Sequence, residues 1–184
     1  MVPTTMPKRT ITPLVNGRVR LRLLEEADLP ATLAWRNQDH IRKWFFHADV
    51  ITPEQHRRWF DAYLGRDDDF VFVIEETEEL RRPVGQVALY NIDWAAGTGE
   101  FGRLMIGDTE AQGHGLARLA TARLVDEALV AWGLTSVHLE VRAANESALA
   151  VYRATGFAVV GSDADVVRMK RDARDSAVRP STLM

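Results

Sequence analysis

Two stretches in the second half of this 184-residue sequence carry residue types that can do chemistry. The first, Glu110-Ala111-Gln112-Gly113-His114-Gly115-Leu116-Ala117, joins a strand-like run, Glu100 to Ile106, to a long helical pattern. Gly113 and Gly115 remove the side chains that would hold a ligand away from the backbone. A helix start behind them offers free N–H groups and the positive end of a dipole. Phosphate suits such a loop. Glycine pairs also occur there for their backbone angles alone, so a second signal is needed. It comes in Asn145-Glu146-Ser147-Ala148-Leu149-Ala150-Val151-Tyr152-Arg153-Ala154-Thr155-Gly156-Phe157.

Gln112, Gly115 and Ala117, with Asn145, Tyr152, Gly156 and Phe157, resemble the acyl-CoA-binding core of the GNAT superfamily of N-acetyltransferases. They match its Gln/Arg-x-x-Gly-x-Gly/Ala loop and its Asn…Tyr…Gly-Phe signature. The resemblance runs from Arg18 to Arg171 and is strongest from Glu100 to Gly161. It implies an α/β (α+β) domain with a mixed, mostly antiparallel sheet of roughly six to seven strands and about four helices. It also implies acetyl-CoA as co-substrate and no metal. The pyrophosphate would lie on Gln112, Gly113, His114, Gly115, Leu116, Ala117 and Arg118. The backbone of Met105 and Ile106 would pair with the pantetheine amides and polarise the thioester carbonyl. His114 and Arg118 can add charge against phosphate or stand simply exposed. Tyr152 is the candidate general acid for the departing thiolate, since a phenol with pKa near ~10 is protonated at neutral pH. Asn145 can contact the cofactor and also cap its helix.

The base that takes the ammonium proton is Glu100 or Glu140, on neighbouring strands, directly or through water, with Glu100 preferred. The five histidines show no i,i+4 pair or ligand cluster. In the first half, Leu33-Ala34-Trp35-Arg36-Asn37, Ile41-Arg42-Lys43-Trp44-Phe45, Ile51-Thr52-Pro53-Glu54-Gln55-His56 and Trp59-Phe60 resemble the RimJ/RimL-type branch. More narrowly, they resemble the nucleotide-sugar amine acetyltransferases of pseudaminic acid biosynthesis. Arg36, Asn37, Arg42 and Trp44 are then the acceptor-binding candidates, because guanidinium groups suit a diphosphate and an aromatic face suits a sugar. Protein N-termini, polyamines and other small amines remain alternative acceptors. A non-catalytic CoA-binding member of the fold is the alternative of another class.

The remaining sequence bounds these readings. A net charge of −3 and a pI near 6.0 argue against a nucleic-acid-binding surface. With no cysteine there is no disulfide framework, thiolate zinc site or acyl-cysteine intermediate. No apolar run is long enough to span a bilayer and no signal-peptide core is present, so a cytoplasmic monomer or homodimer is expected. Residues 1–15 read as an extended lead-in, 16–171 as one domain and 172–184 as a disordered tail.

Strands are expected at Arg18 to Leu23, Phe70 to Ile74, Val84 to Ile92 and Glu100 to Ile106, four before the glycine loop. Glu75 to Pro83 reads as a solvated hairpin connection. Asp28 is expected to cap a helix reaching Asn37, and Thr52 to open another with Trp59, Phe60, Tyr63 and Leu64 on its apolar face. Leu116, Ala120, Leu124, Ala128 and Ala131 share one face of the next helix, which Gly133 ends. Val137 to Arg142, Val159 and Val166 to Met169 complete the strands, and Asn145 opens the last helix.

Overall fold

The computed structural model describes residues 8–177. Leu14–Asn16 (β1) and Val19–Leu23 (β2) form an antiparallel ribbon whose inward side chains, Leu14, Val19 and Leu21, are buried. Phe70–Glu76 (β3), Arg82–Asp93 (β4) and Thr98–Ile106 (β5) extend it antiparallel. Ser136–Arg142 (β6) lies parallel to β5, and Ala158–Asp163 (β7) and Val166–Asp172 (β8) close the sheet in the order β1-β2-β3-β4-β5-β6-β8-β7. The run in β3 is apolar at every position because both faces are covered. Phe70, Phe72 and Ile74 enter the larger core, and Val71 and Val73 the smaller one.

Leu29–Arg36 (α1), Asp39–Arg42 (α2) and Pro53–Leu64 (α3) precede β3, and the smaller core holds Phe60 and Tyr63 of α3. Leu116–Asp126 (α4) and Glu146–Ala154 (α5) cover the opposite face. Burying Leu116 and Leu124 from α4 contributes about 1.5–3 kcal/mol each.

The fold class is the expected one, with eight strands and five α-helices among the described residues. The extra strand before the glycine loop is β1, three residues long and too short to display alternation. Asp28 does not cap α1. Its carboxylate is held by Arg22 at 2.7 and 2.8 Å and accepts the Glu25 N–H, so it closes the preceding 3-10 turn instead. Thr52 and Gln55 form the predicted capping box, while Leu64 points outward, 50% exposed.

The hairpin acids are not all solvated. Glu76 is buried and its carboxylate accepts N–H bonds from Glu78, Glu79, Leu80 and Arg81. After Asp126 the helix widens into a π turn, Glu127–Ala131, closed by Trp132 N–H to the Glu127 carbonyl at 3.0 Å. The change of period rotates Ala131 off the buried face into solvent. Ala173–Ala177 forms a 3-10 turn where the tail was expected, and the Ala173 N–H reaches the Thr135 carbonyl. Residues 1–7 of the lead-in and 178–184 of the tail lie outside the described residues.

Candidate active site

β5 and β6 pair at three positions only: Thr98 with Ser136, Gly99 with Val137 and Glu100 with His138. β6 is held along its length by β8. β5 instead follows β4, through a bulge where Arg103 and Leu104 oppose the single Val87 and Arg103 takes a φ of 51°. A bulge bends its strand and re-aims side chains. β5 therefore departs from β6, and the sheet forks just beyond Glu100.

A cavity of about 480 Å³ occupies the fork. Leu104, Met105 and Ile106 line it from β5, and Asn145, Ser147, Ala148 and Val151 from the α5 side. The loop Gln112, Gly113, His114, Gly115, Leu116, Ala117 and Arg118 lines it too, so every predicted cofactor position except Tyr152 meets around one space. Gly113 and Gly115 have φ of 79° and 75°, left-handed values that other residues resist. α4 starts at Leu116, so its first N–H groups lack intrahelical acceptors at the positive end of the dipole. Side chains pin this loop: Gln112 donates to the Ile106 carbonyl at 3.0 Å, and Arg18 to the His114 carbonyl at 2.6 Å. Asn145 does cap α5, accepting the Ala148 N–H at 3.2 Å.

Tyr152 does not line that cavity. It lies at the vertex of the fork, buried, with its ring edge-on to Phe101 at 5.8 Å and to Phe157 at 5.9 Å. Phe101 is the first β5 residue past the last β5–β6 pair. Burial pushes the Tyr152 phenol pKa up, and Tyr90 pushes it further, so the proton is retained at neutral pH. Glu100 stands at the same vertex on the other face, next to Phe101 in sequence and opposite Tyr90 across the β4–β5 ladder. Its carboxylate accepts from Asn91 at 2.8 Å, lies 3.7 Å from the His138 ring and keeps 33% exposure. Glu140, two residues along β6 from His138, is ion-paired with Arg168 at 3.1 Å.

A second cavity, of about 380 Å³, opens on the α1–α3 side and shares Phe45 with the first. Of the four predicted acceptor residues only Arg36 lines it. Asn37 spends its amide on Ile51, donating to the carbonyl at 2.8 Å and accepting the N–H at 2.9 Å. Arg42 donates to Asp39 and to the Ala48 carbonyl. Both clamp the loop after α2, because α2 is a single turn and the chain folds back over it. Trp44 turns to the cofactor cavity.

Sequence reasoning missed Arg103, Gln86, Thr32 and His56, which line this space, and treated Trp59 as core although it lines it too. The His56 ring stacks on Trp59 at 5.5 Å and its Nε2 lies 3.1 Å from the Thr32 hydroxyl. Burial pushes the His56 pKa down, favouring the neutral ring. Arg103, a charge among the otherwise uncharged residues 101–106 of β5, was the available signal. Among the described residues no His, Asp and Glu cluster suited to a metal occurs, and no helix is long and apolar enough to cross a membrane.

Residues 18–158 match the family described as acetyltransferase (GNAT) domain. Spermidine N(1)-acetyltransferase from Vibrio cholerae is 25% identical over 147 residues, covering 80% of this chain and 83% of that one. Ribosomal protein bS18-alanine N-acetyltransferase from Salmonella typhimurium is 28% identical over 138 residues, covering 74% and 79%. The crystal structure of the Vibrio cholerae spermidine N-acetyltransferase with CoA and spermine is similar with a TM-score of 0.80 at 24% identity, over 88% of this chain and 99% of that one. The fork between β5 and β6 and its glycine loop thus sit within a match that spans most of the sequence, and the chain belongs to the GNAT acetyltransferase family as an N-acetyltransferase.

Proposed function

We propose that this protein transfers the acetyl group of acetyl-CoA directly to a primary amine, with both substrates bound together. The carrying observation is the vertex of the fork, where Tyr152 approaches from one face of the sheet and Glu100 from the other. The amine nitrogen attacks the thioester carbonyl carbon, and its proton passes through a water to Glu100. The carbon–sulfur bond then breaks, and the thiolate takes the Tyr152 proton. Backbone N–H groups of β5 beyond the vertex would polarise the carbonyl, and the Gln112–Arg118 loop would hold the pyrophosphate.

Without cysteine, no acyl-cysteine can form. The preferred acceptor is a nucleotide-linked amino sugar. Polyamines are the second reading, favoured by the relatives named for spermidine, and a protein N-terminus is the third, favoured by the relative named for a ribosomal protein. Two-substrate kinetics, read by release of free CoA, test the transfer itself. Intersecting lines are expected, and parallel lines would rule it out.

A further inference from the structure

Resting on that reading, we infer that the acceptor carries an anionic group, a carboxylate or phosphate, gripped between Arg36 and Arg103 in the 380 Å³ cavity. Both guanidinium side chains line this one space, one from α1 and one from β5. Arg36 is only 9% exposed, stacks on the Phe45 ring at 4.0 Å and donates through Nη2 to the His47 carbonyl. Its Nη1 is buried with no hydrogen-bond partner. A buried donor left unpaired is costly unless a ligand or water satisfies it.

Arg103 supplies an independent observation. It occupies the bulge with a positive φ, a strained backbone that a non-glycine residue holds only where its surroundings impose it. Its Nη1 is anchored to buried Asp69 at 2.7 Å and its guanidinium lies over the Tyr90 ring at 4.2 Å. Asp69 occupies one donor, and a planar fork retains others for a second oxygen.

The carboxylates around the cavity are too few to neutralise a polycation. Among the described residues Asp49 is the one acidic side chain lining it, and it is exposed. Thr32, His56, Gln86 and Gln55 add neutral polar groups. The volume is of the size that takes a single small molecule. A polyamine would bring its positive charges beside two guanidinium groups, whereas an amino acid or a phosphorylated amino sugar places opposite charge there.

The test compares amines that differ only in the anion, at saturating acetyl-CoA, by CoA release: glucosamine 6-phosphate against glucosamine, and an amino acid against its amide, with spermidine alongside. The anionic member of at least one pair is expected to be favoured in kcat/KM by about 10- to 100-fold, the size of one or two charge-assisted hydrogen bonds. That preference should shrink as salt rises and fall about tenfold in Arg36→Gln and in Arg103→Gln, each of which keeps a donor for its protein partner. Should a variant fail to fold, the wild-type pairs and one binding measurement decide the question. Glucose 6-phosphate, which has no amine, should still bind the wild-type protein in calorimetry. Anion binding without turnover of any amine, with a nucleotide-linked amino sugar added to the panel, would uphold the clamp and overturn the transferase reading. Spermidine or the neutral members turned over as well as the anionic ones would overturn the clamp alone.

Discussion

Arg103 Nη1 lies 2.7 Å from Asp69 Oδ1, tying the bulge of β5 to the loop that leads into β3. Asp69 is 1% exposed, and its backbone carbonyl in turn accepts from Lys8 of the lead-in. Asp69→Ala removes the anchor of a mostly buried cation and one end of a buried contact. It is expected to lower stability by about 2–3 kcal/mol and to raise the acceptor KM more than the acetyl-CoA KM. Denaturant melts and steady-state kinetics on the same preparation check both, and an unchanged acceptor KM would disconnect the loop from the site.

Tyr152→Phe should lower kcat by about 10²-fold with a small change in the acetyl-CoA KM. Because the folded phenol pKa is raised, it keeps its proton above the ordinary value of 10. The wild-type rate should therefore show no loss attributable to Tyr152 below pH 10. A Phe variant with full activity would remove Tyr152 from the mechanism.

Gly115→Val forces a β-branched residue into a φ of 75° and puts bulk where the proposed pyrophosphate would approach the loop. Acetyl-CoA affinity is expected to fall by at least about tenfold in calorimetry. Equal affinities would relocate the pyrophosphate.

Glu100→Gln and Glu140→Gln separate the two carboxylates. The first removes the proposed proton acceptor at the vertex and should cut kcat by about 10- to 100-fold. The second releases Arg168 from an exposed pair and should change kcat by less than about twofold. The reverse ranking would transfer the base role to Glu140.

Glu76→Ala strips the acceptor from four N–H groups of the β3–β4 turn and should cost about 3 kcal/mol. Burial raises the Glu76 pKa, but these donors outweigh it and hold the carboxyl below its ordinary 4.5. A depressed folded-state pKa gives stability that is complete above pH 4.5 and is lost as pH falls through the folded value. Wild-type melts should weaken below pH 4.5 more steeply than those of the variant, and parallel acid profiles would contradict this.

Much of the candidate site's lining was legible because loop, strand and helix signals lie close together in sequence. Gln112 to Arg118, Met105, Ile106 and Asn145 meet around one cavity, as their motifs implied. The acceptor side was not legible, because it depends on which way a short loop folds. Asn37 and Arg42 carry polar groups suited to a ligand, yet both bind the backbone of residues 48–51. Arg103 reaches the cavity through a bulge, and a bulge leaves no periodic signature. Glu76 looked solvated because acids in a turn usually are, and only the folded path of residues 77–81 turns their N–H groups onto it.

The fork also divides the sheet into two plates, β1 to β5 and β6 to β8, with strand hydrogen bonds joining them over only three residue pairs. A molecule bridging β5 and α5 would act as mortar between those plates. Cofactor and scaffold would then stiffen each other: amides along β5 beyond Phe101 would become slower to exchange with solvent deuterium as that wedge fills, and the heat resistance of the whole chain would climb with its concentration.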